Sequence, residues 1–599
     1  MNENKGSATG RKAGGPGDAL GPENRATIIG RLYDVALDPV RLEDLVDALE
    51  GGFGRLRAGL AEGRTIDDAE IEAHLDRASR VLERQQEALE HRHRSLLADV
   101  RRSAAFVAEG SGAIVAWNAA AGARYALDHR PMLSALPFEV EDRATLRTMI
   151  QRVASGQRER MVTLRLRPPD AAAPVILRIS RVEDDRPMAL VLSTDVAWPP
   201  GFDTVLRDAF GLTAAEAAVV RALTLGQPLR EIAASRRRSM ETVRTQIRSI
   251  LAKTETRAQS DLIRLIMSLM DVALREVGPE HAATVAEPAP ERAPGEPHSL
   301  RTRDGRRLDW LEFGAPAGRP VLYMHLDYGL VHWPAPAERA ARAAGLRVVV
   351  PIRAGYGDSA PHPAGTDRTL ACAEDYAAVL DRLGLGGAMV IALGADLRFA
   401  AKLARLRPDL VAGIIGCAAQ LPLQTARQYE RMDKWQRLVL ANARYAPKVL
   451  PFVVKAGVAL ARRVGKEKFF AQVNAVSPGD LAAFARPEVR EAMLSGSDVL
   501  LGPRHSAHLA FAAEAISSER DWSDLLEACP VPIRLFQGDE DPQMPVQTLK
   551  ELLPRFPRIR CEIRPRIGQL VFFRDWPLVL AALEEEARAV AQPDGQPAD

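Results

Sequence analysis

The chain has 599 residues, of which 47% are apolar and 26% charged, and a formal net charge of +2. That length is more than one core can organise and predicts about three or four domains; near-neutrality excludes a chain that is basic throughout, so any nucleic-acid contact must come from a local patch. The four cysteines, Cys372, Cys417, Cys529 and Cys561, are widely spaced and form no CxxC pair. No metal site and no disulfide framework is therefore expected, and the thiols read as packed groups in a reducing compartment.

Residues 1–24 are Gly-rich and lack an apolar core, so they read as disordered and not as a signal peptide. The longest apolar stretch, 438–460, is broken by Arg444, Pro447, Lys448, Pro451 and Lys455. A membrane span needs about 20 mostly apolar residues. A cytoplasmic protein with no membrane partner is expected.

Residues 25–102 read as a helical segment. Ile71, Leu75, Ala78, Leu82, Gln85, Leu89, Arg92 and Leu96 alternate four and three apart, a heptad seam with polar breaks at Gln85 and Arg92. Such a helix either packs on its own domain or pairs two copies in parallel. Over 103–196 the period changes. AAFVAEGSGAIVAWNAAA reads as strand, Gly turn, strand and helix, and MVTLRLRP, PVILRIS and MALVLSTD as further strands. The segment Trp117-Asn118-Ala119-Ala120-Ala121 resembles the strand exit of a PAS-type α+β sensor. No haem or flavin residue stands out, and no cofactor is expected.

Residues 202–272 read as all-helical. Thr213 and Glu216 form a T-x-x-E capping box that starts a helix, with Ala217, Val220, Leu223 and Leu225 as its apolar face and Gly226 as its stop. A short helix follows over Leu229 to Ser235. Ser239 caps a third, in which Val243, Ile247, Ile250 and Leu251 face inward. Two short helices before a basic one make a helix-turn-helix. LT-x-x-E, Gly226, Ile232-Ala233 and Ser239 before Thr242-Val243-Arg244-Thr245 closely resemble the LuxR/FixJ-type helix-turn-helix over about 60 residues. The resemblance implies double-stranded DNA as partner, with the third helix in the major groove. Where the family turn holds Leu-Gly-Ile, this chain has Arg236-Arg237-Arg238, and the family's third-helix histidine is Gln246. Over 201–270 basic residues outnumber acidic ones by four. Ser239, Glu241, Thr242, Thr245 and Arg248 are expected at or near base edges, and Arg236, Arg237, Arg238, Arg244 and Lys253 at phosphates. Leu262, Leu265, Ile266 and Leu269 form a candidate homodimer seam.

A Pro-, Ala- and Glu-rich stretch over 278–298 reads as a linker. From 299 to 592 short apolar strands alternate with helices, the sign of a doubly wound parallel sheet. Four segments, DGRRLDWLEFGAPAGRPVLYMHLDYG, RVVVPIRAGYGDSAP, AMVIALGADLRFAAKLARLRPDLV and PVPIRLFQGDEDPQMP, resemble in order the signatures of the α/β-hydrolase family. Residues 421–522 would form its helical cap. The resemblance implies a nucleophile at the centre of the strand-to-helix pentad. Here Ala392-Leu393-Gly394-Ala395-Asp396 places Gly394 there. The acid position holds Asp541, the histidine position holds Gln569, and the oxyanion-loop His-Gly is His325-Leu326. In one serine protease, loss of the serine or the histidine costs roughly a factor of 10⁶ in kcat. No catalytic residue is therefore assigned. A small organic ligand is expected at His325, Leu326, Asp327, Trp333, Gly394, Ala395, Tyr429, Trp435, Asp541 and Gln569. Ser359 and Cys417 read as structural, and Asp396 as a helix start. Asp327 and His332 are the candidates for any residual chemistry. The expectation is a transcription regulator with a non-catalytic sensor domain. The alternatives are a regulator keeping hydrolase or lyase activity with relocated groups, or a scaffold that only builds oligomers.

Overall fold

The computed structural model describes residues 21–276 and 297–591, apart from 58–64, 66–67, 99, 101–102, 111, 126, 128–132, 134–135, 157–159, 168–173, 184–186, 197, 199–200 and 503–505. Residues 1–20 and nearly all of the expected linker over 278–298 lie outside the described residues. Contacts divide the chain into two units, residues 86–291 and residues 1–85 with 292–599.

The smaller unit begins with an antiparallel sheet of five strands, β1 (Ser103–Glu109), β2 (Ile114–Trp117), β3 (Met161–Leu166), β4 (Val175–Val182) and β5 (Met188–Val196), in the order β2-β1-β5-β4-β3. Strand β4 shows why: Val175, Leu177 and Ile179 are buried while Ile176 and Arg178 are exposed, the period of two that one covered face demands. The cover is the helix Val140–Ser155, which buries Leu146, Ile150 and Val153. Asn118 ties the strand exit together. Its side chain accepts from Ala105 N at 3.0 Å and Ala121 N at 2.9 Å and donates to Ser103 O at 2.8 Å.

Five helices follow, Phe202–Phe210, Ala214–Thr224, Leu229–Ser235, Met240–Lys253 and Gln259–Glu276. The capping box forms, with Thr213 Oγ1 accepting from Glu216 N at 3.2 Å and Thr213 N donating to the Glu216 carboxylate at 2.8 Å. Val243, Ile247 and Ile250 are buried as expected, but Leu225 is 41% exposed, because it follows the last helical turn and points off the apolar face. Leu262 and Ile266 are buried in this helical core. Half of the expected dimer seam is therefore occupied within the chain, leaving Leu265 and Leu269 partly exposed.

The larger unit carries a sheet of eight strands, β6 (His298–Arg301), β7 (Arg307–Gly314), β8 (Arg319–Met324), β9 (Leu346–Ile352), β10 (Ala388–Leu393), β11 (Val411–Cys417), β12 (Ile533–Gly538) and β13 (Ile559–Arg564). Their order is β13-β12-β11-β10-β8-β9-β7-β6, parallel from β13 to β9 and antiparallel at β7 and β6. Strand β10 is buried along its whole length, as a central parallel strand covered on both faces should be. Helices from Ala426–Glu430 to His508–Ser518 interrupt the sheet between β11 and β12 and form the expected cap.

The heptad seam does not wait for a second copy over its first half. Ile71, Leu75, Ala78 and Leu82 are buried in one cluster with Leu438, Val449, Phe452 and Val453 of the cap and with the helices Pro22–Leu37 and Leu42–Arg57. Burying each such aliphatic side chain contributes about 1.5–3 kcal/mol, which settles the choice for packing within the domain. Lys434 with Asp47 at 2.6 Å and Lys448 with Glu72 at 2.8 Å rim the contact. The dimer reading of Ile71 to Leu82 is thereby corrected. Gln85 and Arg92 are exposed, and the Leu89 side chain lies outside the described residues. The helix itself runs Ala69–Ala98, and the unit boundary falls at Gln85/Gln86.

Candidate functional site

The elbow has the backbone of a nucleophile turn without the nucleophile. β10 ends at Leu393, Gly394 takes φ +51°, and a short turn leads into the helix Leu397–Leu406. A Cβ on Gly394 would lie 2.5 Å from Leu326 Cδ1. Leu326 itself has φ +60°, a conformation that favours glycine. Leu326 thus fills the room that a side chain at the elbow would need. Gly394→Ser is accordingly expected to give no ester hydrolysis above the buffer rate, since the new side chain meets Leu326 and Gln569 supplies no base. A panel of p-nitrophenyl esters checks this, and turnover traced to the introduced serine would contradict it.

Asp396 stands at the start of the following helix, as expected, but its side chain makes no capping hydrogen bond. Its carboxylate accepts from Leu326 N at 2.7 Å and from Arg353 Nη1 at 2.6 Å. Arg353, 2% exposed, also donates to Glu514 of the cap, which receives Arg368 at 2.7 Å and the Tyr356 hydroxyl at 3.1 Å. This buried network binds elbow, β9 turn and cap, and sequence reasoning missed it, because nothing local pairs Arg353 with a residue 161 positions away. Burial alone would raise the Glu514 carboxyl, but Arg353 and Arg368 outweigh it and hold the pKa at about 2.

A cavity of about 430 Å³ opens beside the elbow, within the range of small-molecule sites. Of the expected ligand residues, Leu326, Asp327, Ala395, Trp435 and Gln569 line it. Its walls are mostly aliphatic cap residues such as Val453, Val454 and Val458, and Val40, Leu42 and Glu43 of the N-terminal segment also reach it. No sequence signal tied that segment to the cavity.

The other expected ligand residues stand elsewhere. His325 is fully buried, with Nδ1 2.8 Å from Leu326 O and Nε2 accepting from Arg353 N at 3.3 Å. Burial and then Arg353 lower its pKa to about 3, so it is a neutral strut and not an anchor. Trp333 is 2% exposed and packs edge-on against Phe313, Tyr323 and Phe572 in the core. Tyr429 is buried with its hydroxyl on Glu519. Gly394 lies behind Leu326. Asp541 accepts from Gln537 Nε2 at 2.6 Å, Gln543 N at 2.9 Å and Met544 N at 3.1 Å, so the retained acid holds its own turn. Burial pushes its pKa up to about 7. Ser359 is also structural, donating to Ile352 O at 2.7 Å. Cys417 is buried at the end of β11, as expected. His332 does not line the cavity, whereas Asp327 does. Burial, then Asp396 and Glu514, raise the Asp327 carboxyl to about 7.

The loop of Gln569 is fixed from the cap. Asp480 accepts from Gly568 N, Gln569 N and Leu570 N at 2.9, 2.7 and 3.0 Å. A Cβ on Gly568 would lie 2.4 Å from Asp480 Oδ2, which accounts for glycine there. From Gln569 a line of amides runs inward. Gln569 Nε2 donates to Gln543 Oε1 at 2.9 Å, Gln543 Nε2 to Gln420 Oε1 at 3.0 Å, and Gln420 Nε2 to Glu519 Oε1 at 2.9 Å. Burial raises the Glu519 carboxyl, opposed by the hydrogen bonds from Tyr429 and Gln420 and by the charge of Arg444.

In the smaller unit, Arg237, Arg238, Glu241, Thr242, Arg244, Thr245 and Arg248 are exposed on the third helix of the helix-turn-helix-like segment and its approach. Arg236 is half-buried, and Arg237 has φ +50°, where the resembling family's turn holds glycine. Ser239 Oγ is taken up by its cap on Thr242 N at 3.1 Å, and Thr245 Oγ1 donates to Glu241 O at 3.0 Å. Lys253 is exposed, with its ammonium 2.7 Å from Glu216 Oε2 and 3.1 Å from Gly211 O, so it braces the first and third helices.

No protein-family model matches this chain, and no curated protein matches it in sequence. Solved structures do. A thermophilic esterase from Thermogutta terrifontis is 22% identical with a TM-score of 0.37, covering 50% of this chain and 100% of its own. Bromoperoxidase from Bacillus anthracis is 14% identical (TM-score 0.36), covering 49% of this chain and 100% of its own. An epoxide hydrolase from Vigna radiata is 16% identical (TM-score 0.38), covering 49% of this chain and 98% of that one. These likenesses concern fold alone. The sheet order, crossover helices and elbow described above are those of an α/β-hydrolase fold. Among the described residues, no helix is long and apolar enough to cross a membrane.

Proposed function

We propose that this chain is a dimeric, DNA-binding transcription regulator whose α/β-hydrolase-like domain binds a small organic ligand without turning it over. The observation that carries the reading is a mostly apolar cavity of about 430 Å³ beside an elbow whose nucleophile position is Gly394 and whose base position is Gln569. An open cavity supports a ligand over a scaffold that only builds oligomers. The exposed Arg237, Arg238, Arg244 and Arg248 beside a Ser239-capped helix support DNA as the partner, with base edges read by the N-terminal side chains of that helix. The five-stranded antiparallel sheet supports a PAS-like middle domain.

For the ligand to regulate, it must bind one arrangement of the chain better than another. A thermal-shift screen of small amphipathic organics on the full chain tests this. A true ligand is expected to stabilise by RT ln(1 + [L]/Kd), about 2.7 kcal/mol at a hundredfold excess over Kd, to change affinity for DNA, and to be recovered intact. Product formed in excess of protein would return the cavity to enzymology.

A further inference from the structure

Three amides and one carboxylate decide what the inner end of the cavity offers. Glu519, 6% exposed, accepts on one oxygen from Gln420 Nε2 at 2.9 Å and on the other from the Tyr429 hydroxyl, while Arg444 Nη1 donates to its backbone oxygen at 2.9 Å. Glu519 Oε1 accepts from Gln420 Nε2 and also from Ser518 Oγ at 3.3 Å. Gln420 therefore turns its NH₂ towards Glu519 and its oxygen towards Gln543. Gln543, meeting that oxygen, must donate and leave its own oxygen for Gln569. Each step removes one choice, so the accepting oxygen at the buried end sets the orientation at the open end. Gln569, which lines the cavity, spends one N–H on Gln543 at 2.9 Å, and among the described residues its Oε1 has no hydrogen-bond partner.

We infer that the relay Gln569–Gln543–Gln420, oriented by Glu519, presents a carbonyl oxygen to the cavity, so that the ligand carries a hydrogen-bond donor, a hydroxyl or an amide N–H, on an otherwise apolar body. This rests on the ligand-binding reading of the cavity and names the chemistry it selects. A ligand offering only an acceptor there can use at most the second N–H of Gln569 and leaves Oε1 unpaired beneath it, a cost that corresponds to about tenfold in affinity. The discrimination is set at a distance. Glu519 never touches the ligand and acts as a positioning residue.

The probes are decanol and methyl octyl ketone, matched in length and differing in the donor. Binding of each to the full chain is measured by calorimetry and thermal shift. Decanol is expected to bind about tenfold more tightly. In Glu519→Gln the terminal group can donate as well as accept, the relay loses its direction, and the preference is expected to fall to within about twofold while both probes still bind. Should Glu519→Gln fail to fold, Gln569→Leu, which removes only the open end, must abolish the same preference. Equal binding of the two probes to the unaltered chain, or a preference that survives in these variants, overturns the relay and leaves the ligand cavity standing. If neither probe binds, and Gly457→Phe in the cavity wall changes neither result, the cavity reading falls together with it.

Discussion

Glu514→Gln is expected to destabilise the larger unit by about 3–5 kcal/mol, the usual cost of breaking a fully buried ion pair from one side. The carboxylate is 2% exposed, receives Arg353 Nε at 3.1 Å, Arg368 Nη2 at 2.7 Å and the Tyr356 hydroxyl at 3.1 Å, and lies 3.0 Å from Arg353 Nη2 as an ion pair. A glutamine keeps the shape but removes the charge, and it leaves two guanidiniums facing an amide in a dry interior. Arg353 would retain Asp396 at 2.6 Å, so the elbow is expected to hold better than the cap. The charge also sets a pH dependence. A carboxyl held at about 2 in the folded chain and near 4.3 when unfolded stabilises fully above about pH 5. That contribution is lost as pH falls from there towards about 2. Urea titration followed by tryptophan fluorescence at neutral pH and at about pH 4 measures both effects. A loss below about 1 kcal/mol, or the same loss at both pH values, would mean that the carboxylate is not paired as described.

That network shows where the sequence stops being informative. Strands, turn residues and the capping box are local, and they were legible from alternation, Gly and the T-x-x-E spacing. The elbow was equally legible, because the pentad Ala392 to Asp396 sits between an apolar strand run and a helical run, with the acid at Asp541 after a later strand. The partners of Arg353 and the Asp480 cradle under Gln569 were not, since they join segments separated by 161 and by 89 residues. The seam of Ile71 to Leu82 shows a different limit. A heptad stripe states that a face is apolar and not what covers it, and cap residues such as Phe452 cover it here. Trp333, Tyr429 and His325 were expected at the ligand because large aromatic and polar groups often line pockets. Each instead satisfies the core, which takes the same residue types. Only Leu326, standing where the resembling family keeps glycine, linked two departures that the sequence presented separately. A glycine at the elbow and a leucine opposite it fit one another sterically.

Replacing the turn arginines should weaken DNA binding on every sequence alike. Each phosphate contact given up is expected to make the dependence of log K on log salt shallower by about 0.9. Arg237 and Arg238 are exposed and Arg236 is half-buried, so removing all three should flatten the slope by about 1.8 to 2.7. The form of the variant matters. Arg237 has φ +50°, a conformation that costs an L side chain roughly 1–2 kcal/mol, so alanine there would keep the strain while losing the charge. Arg236→Ala, Arg237→Gly, Arg238→Ala removes the charge and relieves the backbone, and the smaller unit is expected to be no less stable than before. Weaker binding of this variant therefore reports lost contacts and not lost folding. Arg248→Ala provides the contrast. It lies on the exposed face of the helix Met240–Lys253, and its loss should cost about 1–3 kcal/mol on a preferred site and little on random duplex. Fluorescence anisotropy over a salt series, with one selected and one scrambled duplex, separates the two behaviours. An unchanged salt slope in the triple variant, or a loss confined to the selected duplex, would remove the turn from the phosphate contacts.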